Sequence, residues 1–132
     1  MQGPDPRVLP ADHRTVLVAD DDPVILQLVR AILSAAGYQV LLADGGWSAV
    51  RAFESAASPI HLLVTDVMMP DLTGPVLASR LRARQPDLRV VFISGFHDGT
   101  LVQRFASLKG FPLVPKPFTS DGLLRAVADV LS

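Results

Sequence analysis

The chain has 132 residues, 49% hydrophobic and 19% charged, with a formal net charge of −1 and no cysteine. That is about one domain with a core of its own; its charge offers no basic excess to attract nucleic acid, and without cysteine there is no disulfide framework, thiol nucleophile or thiolate zinc site. No apolar run approaches the roughly 20 residues that cross a bilayer, and the N-terminal MQGPDPRVLPADHR lacks the apolar middle of a signal peptide, so a cytoplasmic protein without a membrane or nucleic-acid partner is expected.

In chain order, residues 1–14 carry three prolines and several charges ahead of any apolar pattern and predict a flexible leader or linker, leaving 15–132 as the folded domain. Thr15–Ala19 is short and aliphatic and predicts a strand. Asp22-Pro23 then has the form of a helix cap followed by proline at the first helical position, and Val24, Ile25, Leu28, Val29, Ile32 and Leu33 recur at helical spacing. A strand over Tyr38–Ala43 precedes a weaker helix near Trp47–Ala56. Next come a strand over His61–Thr65 and a second weaker helix over Pro75–Gln85, with Arg80, Arg82 and Arg84 on its solvated side. The narrow apolar faces of these two helices predict a peripheral position. A strand over Arg89–Ile93, a helix marked by Leu101, Val102, Phe105 and Leu108, a strand over Phe111–Val114 and a helix marked by Leu123, Leu124, Val127, Val130 and Leu131 complete the series.

Five βα units in succession imply an α/β doubly wound parallel sheet with five helices on its two faces, because parallel neighbours require right-handed crossovers. The flavodoxin-like strand order 2-1-3-4-5 is the common solution at this size. It makes the fifth strand an edge, where the two prolines of Phe111-Pro112-Leu113-Val114-Pro115 are tolerated.

Ligand sites of such sheets lie beyond the carboxyl ends of the strands. Strand one is followed by Asp20 and Asp21, strand three by Asp66, strand four by Ser94 and strand five by Lys116, so four strands deliver polar groups to one edge. Three carboxylates there repel one another unless a cation sits among them, and oxygen ligands point to Mg²⁺, with Mn²⁺ as the alternative. With Ser94 and Lys116 opposite, the cluster has the form of a phosphoryl site. Other polar residues read as structural: Asp22 as a helix cap, Asp71 as a turn residue outside the site, and His13, His61 and His97 as leader, strand-end and loop residues. Met68 and Met69 read as gap-fillers. Gly45-Gly46 lacks the following GK[ST] of a P-loop, and Ser94-Gly95 lacks the frame of a hydrolase elbow.

From about Thr15 to Leu131 the sequence resembles the receiver domain of two-component response regulators, through VLVADDDP, LLVTDVMMPDLTG, VVFISG and VPKPF in that order. The resemblance implies that Asp66 accepts a phosphoryl group from the phosphohistidine of a histidine kinase or histidine phosphotransfer protein. It also implies that Asp21, Asp66 and the backbone carbonyl of Met68 bind Mg²⁺, with Asp20 acting through coordinated water. Ser94 would hydrogen-bond a phosphoryl oxygen, Lys116 would pair with the phosphoryl group, and the bond from Lys116 to Pro117 would be cis. The output would be a downstream protein, or a second copy, docking on the fourth helix, fifth strand and fifth helix. No enzymatic activity beyond acceptance and self-dephosphorylation is implied. A stand-alone receiver is the leading expectation and the C-terminal receiver of a hybrid histidine kinase or multidomain regulator the alternative; a Mg²⁺-dependent aspartyl-phosphate phosphatase is a distant third. The sequence departs from the family at Leu113, three residues before the lysine, where many members carry an aromatic switch residue, and at Pro115, which removes an amide donor. Apolar Met68 and Phe96, two residues beyond Asp66 and Ser94, predict slow self-dephosphorylation.

Overall fold

The computed structural model describes residues 14–95 and 110–132. The leader up to residue 13, His13, Phe96, His97 and the helix predicted around 101–108 lie outside the described residues. The elements in order are β1 (Thr15–Ala19), α1 (Pro23–Ala35), β2 (Gln39–Ala43), α2 (Gly46–Ser55), β3 (Leu62–Asp66), α3 (Gly74–Arg84), β4 (Arg89–Ser94), β5 (Leu113–Pro115) and α4 (Ser120–Leu131). The five strands form one parallel sheet in the order β2-β1-β3-β4-β5, as predicted, and four of the five predicted helices fall among the described residues.

Both faces of the central strands are covered, which is why they read as continuous apolar runs. Leu17, Leu63, Val90 and Phe92 pack on one side with Ala49 of α2 and Leu77 and Leu81 of α3. Val16, Val18, Leu62, Val64, Val91 and Ile93 point the other way, against Leu26, Val29 and Leu33 of α1 and Leu123 and Val127 of α4. The peripheral position predicted for the two weaker helices is corrected for α3. Its buried stripe is Gly74, Pro75, Leu77, Ala78 and Leu81, of which Gly74, Pro75 and Ala78 are small residues that add little hydropathy yet bring the helix close to the sheet.

Several boundaries shift for identifiable reasons. Arg14, predicted to end the leader, belongs to the domain: its carbonyl accepts from the Gln39 amide at 3.0 Å and its guanidinium donates to the Leu131 carbonyl at 3.2 Å. β5 is shorter than predicted because Pro112 has no amide to pair, although its carbonyl still accepts from the Phe92 amide at 2.9 Å. β3 and β4 each run one residue further, to Asp66 and Ser94, so both side chains leave from paired strand ends.

The helix starts follow the local chemistry. Asp22 accepts from the Val24 amide at 2.9 Å with Pro23 behind it, and Thr119 accepts from the Gly122 amide at 2.9 Å. Asp22→Ala is therefore expected to cost about 1 kcal/mol in urea unfolding at neutral pH, with an unchanged m-value. His61 is structural, its Nδ1 accepting from the Thr15 amide at 3.0 Å.

Candidate functional site

The strand register sets the site. Ala19 lies beside Thr65, Asp66 beside Ile93 and Ser94 beside Pro115, so the carboxyl ends of β1, β3, β4 and β5 stand level and their next side chains share one edge. Asp20 follows β1 and is 0% exposed. One of its oxygens accepts from the Asp22 amide at 2.9 Å and the other from Lys116 Nζ at 3.0 Å. Asp66 is also buried, 3.5 Å from the same ammonium, whereas Asp21 stands exposed beside them. Oxygens of Asp20, Asp21 and Asp66 lie within 4.8 Å of one another.

Lys116 is held there by the sheet edge. Its amide donates to the Ser94 carbonyl at 2.6 Å, and the following bond to Pro117 is cis, as the resemblance implied. Ser94 is buried at the end of β4. Met68, half-buried, sits between two residues anchored in the core, Val67 and Met69.

Burial, and next the charge of Asp20, push the Asp66 carboxyl from its ordinary 3.8 up to about 6, with Lys116 opposing them. Burial alone would lower Lys116, but its hydrogen bond to Asp20 and the charge of Asp66 outweigh that and raise it. Three carboxylates grouped together, two of them facing one ammonium, leave a net negative cluster of oxygen ligands, which fits a hard divalent cation such as Mg²⁺ or Mn²⁺.

The shift at Asp66 has a sign that can be checked. Folding raises its pKa, so the folded domain holds that proton more tightly than the unfolded chain. The stabilisation is complete below about pH 4 and is lost as the pH rises through about 6. In a melting series without metal, the Asp66 contribution is expected to fall between about pH 4 and 6, and Mg²⁺ added at pH 7 to recover it. A Mg²⁺ effect equally large at pH 4 would count against this.

Asp71 was expected to be a turn residue outside the site, and its long reach was missed. Its two oxygens accept from the Gly46 and Trp47 amides, each at 3.0 Å, across to the start of α2. Those hydrogen bonds, the Trp47 bond foremost, hold its carboxyl below the usual range. A usable signal existed: Gly45 at the cap of α2 has no side chain to receive the first free amides, so a cap had to come from elsewhere. Leu113 packs half-buried on the core, and Phe111 stands edge-on to Phe92, with ring centroids 5.8 Å apart at 90°.

Among known proteins, the family profile described as "Response regulator receiver domain" matches residues 16–128. The chain is similar to the sensor kinase CckA of Brucella abortus (strain 2308), 34% identical over 116 residues that make up 88% of this chain but 12% of that protein. It is also similar to the response regulator receiver protein CpdR of the same organism, 31% identical over 118 residues that make up 89% of this chain and 97% of that protein. Of solved structures, a response regulator receiver domain protein from Clostridium thermocellum superposes with a TM-score of 0.78 at 27% identity, covering 89% of this chain and 94% of that one.

Proposed function

Because the chain belongs to the response regulator receiver domain family, we propose that it is a phosphoacceptor of two-component signalling, taking a phosphoryl group onto Asp66 from the phosphohistidine of a histidine kinase or phosphotransfer protein. The observation that carries this reading is the placement of Asp66: a buried carboxylate at a strand end, grouped with Asp20 and Asp21 and 3.5 Å from the Lys116 ammonium.

In the step itself an Asp66 oxygen attacks phosphorus, the bond from phosphorus to the donor imidazole nitrogen breaks, and the imidazole leaves with its electron pair and takes up a proton. The product is an acyl phosphate on Asp66. Mg²⁺ held by Asp20, Asp21, Asp66 and the Met68 carbonyl would neutralise charge on the phosphoryl oxygens. Asp20 holds Lys116 in place by its 3.0 Å contact, so the ammonium already faces the nucleophile before the donor arrives. Ser94 supplies a hydroxyl at the neighbouring strand end. Half-buried Met68 leaves no polar group at its position to steer water onto the acyl phosphate, in keeping with slow self-dephosphorylation.

The phosphatase alternative is disfavoured because Asp22, the second carboxylate it would need, is committed to the cap of α1. No helix among the described residues is long and apolar enough to cross a membrane. The likeness to the receiver protein CpdR fits a stand-alone receiver and the likeness to the sensor kinase CckA fits a receiver within a larger kinase, and the chemistry at Asp66 is the same in both. The added negative charge would draw Ser94 and Lys116 inward and bias the face around β5 and α4 toward a protein target or a second copy. Incubation with acetyl phosphate and Mg²⁺, followed by mapping of a hydroxylamine-labile phosphate, tests the assignment: label at Asp66 is expected, and label elsewhere overturns it.

A further inference from the structure

Resting on the phosphoacceptor reading, we infer that Asp71 is a positioning residue for the metal and phosphoryl site: by gripping the start of α2 it holds loop 67–73, which carries the Met68 carbonyl that this reading gives to the metal. The loop is fixed firmly at its root. The Val67 amide donates to the Ile93 carbonyl at 3.1 Å, its carbonyl accepts from the Gly74 amide at 2.8 Å, and the Met69 side chain is buried. Its outer half has much less support. Pro70 and Asp71 are exposed; Leu72 packs against Gly46 and the core, Thr73 caps α3, and the tie that reaches across to α2 is the pair of 3.0 Å bonds from the Gly46 and Trp47 amides to Asp71.

The post it grips is itself braced. Arg80 of α3 lies over the Trp47 ring at 4.7 Å, and Arg84 pairs with Glu54 at 2.7 Å, so α2 is secured to α3 beside its capped start and again near its end. Gly45 and Gly46 permit the approach: a Cβ on Gly46 would collide with the Leu72 side chain, and one on Gly45 would stand 3.1 Å from the Asp71 carboxylate. Two loops from different crossovers are thereby clamped to one another beside Asp21. A coordinating oxygen presented by a held loop costs less ordering on binding than one presented by a free loop, and loss of such supporting partners typically weakens metal affinity about 10-fold or more.

The test measures Mg²⁺ affinity of the unphosphorylated protein by calorimetry and by the emission of Trp47, the single tryptophan, alongside melting temperature. Asp71→Ala is expected to weaken Mg²⁺ binding about 10-fold. Asp71→Asn removes the same charge but keeps one acceptor oxygen and is expected to lose less, which separates positioning from simple charge. The decisive variant is Asp71→Ala with Gly45→Ser, in which the serine fits the space vacated by the carboxylate and caps α2 from its own loop. It is expected to recover the melting temperature while Mg²⁺ binding stays weak. Affinity unchanged in Asp71→Ala, equal loss in the alanine and asparagine variants, or full recovery in the double variant each overturns the proposal while leaving the phosphoacceptor reading intact. Failure of the wild-type protein to bind Mg²⁺ overturns both.

Discussion

Asp66→Asn is expected to abolish phosphoryl uptake from acetyl phosphate and, in the same protein, to raise the melting temperature of the metal-free domain at pH 7.5. The first effect follows from removing the nucleophile: a neutral amide oxygen forms no stable acyl phosphate, and a loss of at least about 100-fold is expected. The second follows from what Asp66 costs the fold. Its carboxyl is buried beside Asp20 and titrates near 6 instead of 3.8. Holding it ionised at pH 7.5 therefore works against folding by up to about 3 kcal/mol. Asparagine keeps the shape without the charge, and Lys116 retains its 3.0 Å contact with Asp20. A gain of about 1–3 kcal/mol, or several degrees in melting temperature, is expected, shrinking toward zero as the pH falls below 5. A variant that melts lower at pH 7.5, or that still takes up hydroxylamine-labile phosphate at the wild-type rate, would sink this account.

Lys116→Met should move both quantities downward. Asp20 has no exposed surface, and Lys116 is the ammonium that faces it at hydrogen-bond distance. Removing that cation leaves a buried carboxylate uncompensated beside Asp66, a change that typically costs about 3–5 kcal/mol. Equilibrium unfolding in urea at pH 7.5 measures it, and partial rescue is expected from Mg²⁺ and from Asp20→Asn in the same chain. Phosphoryl uptake at saturating Mg²⁺ should fall about 100-fold or more, because a charge aimed at the phosphoryl oxygens has gone. Stability within 0.5 kcal/mol of wild type would show that Asp20 is not held by this pair.

The two experiments bear on the groups that were easiest to read from the chain. A run such as Leu62-Leu63-Val64-Thr65 announces a strand buried on both faces, and the first charged residue after it must emerge at the sheet edge. The same reasoning located Asp20, Ser94 and Lys116, since strand order converts four separate strand ends into one neighbourhood. What stayed hidden depends on contacts between segments distant in sequence. Asp71 sits in a turn-like string, and nothing local tells that its partners are amides 24 and 25 positions earlier. The burial of α3 escaped because Gly74, Pro75 and Ala78 bury little apolar area each while letting the backbone approach. Arg14 looked like the end of a proline-rich leader because its partner, the Leu131 carbonyl, lies 117 residues away.

The contact between Arg14 and Leu131 also determines how the domain can be wired to anything else. The chain enters and leaves at the same pole of the molecule, the amino end of β1, and the five residues of that strand separate this pole from the carboxylates by roughly 17 Å. Whatever is joined directly to Arg14 or beyond Leu131 therefore starts from the end of the sheet opposite the carboxylates.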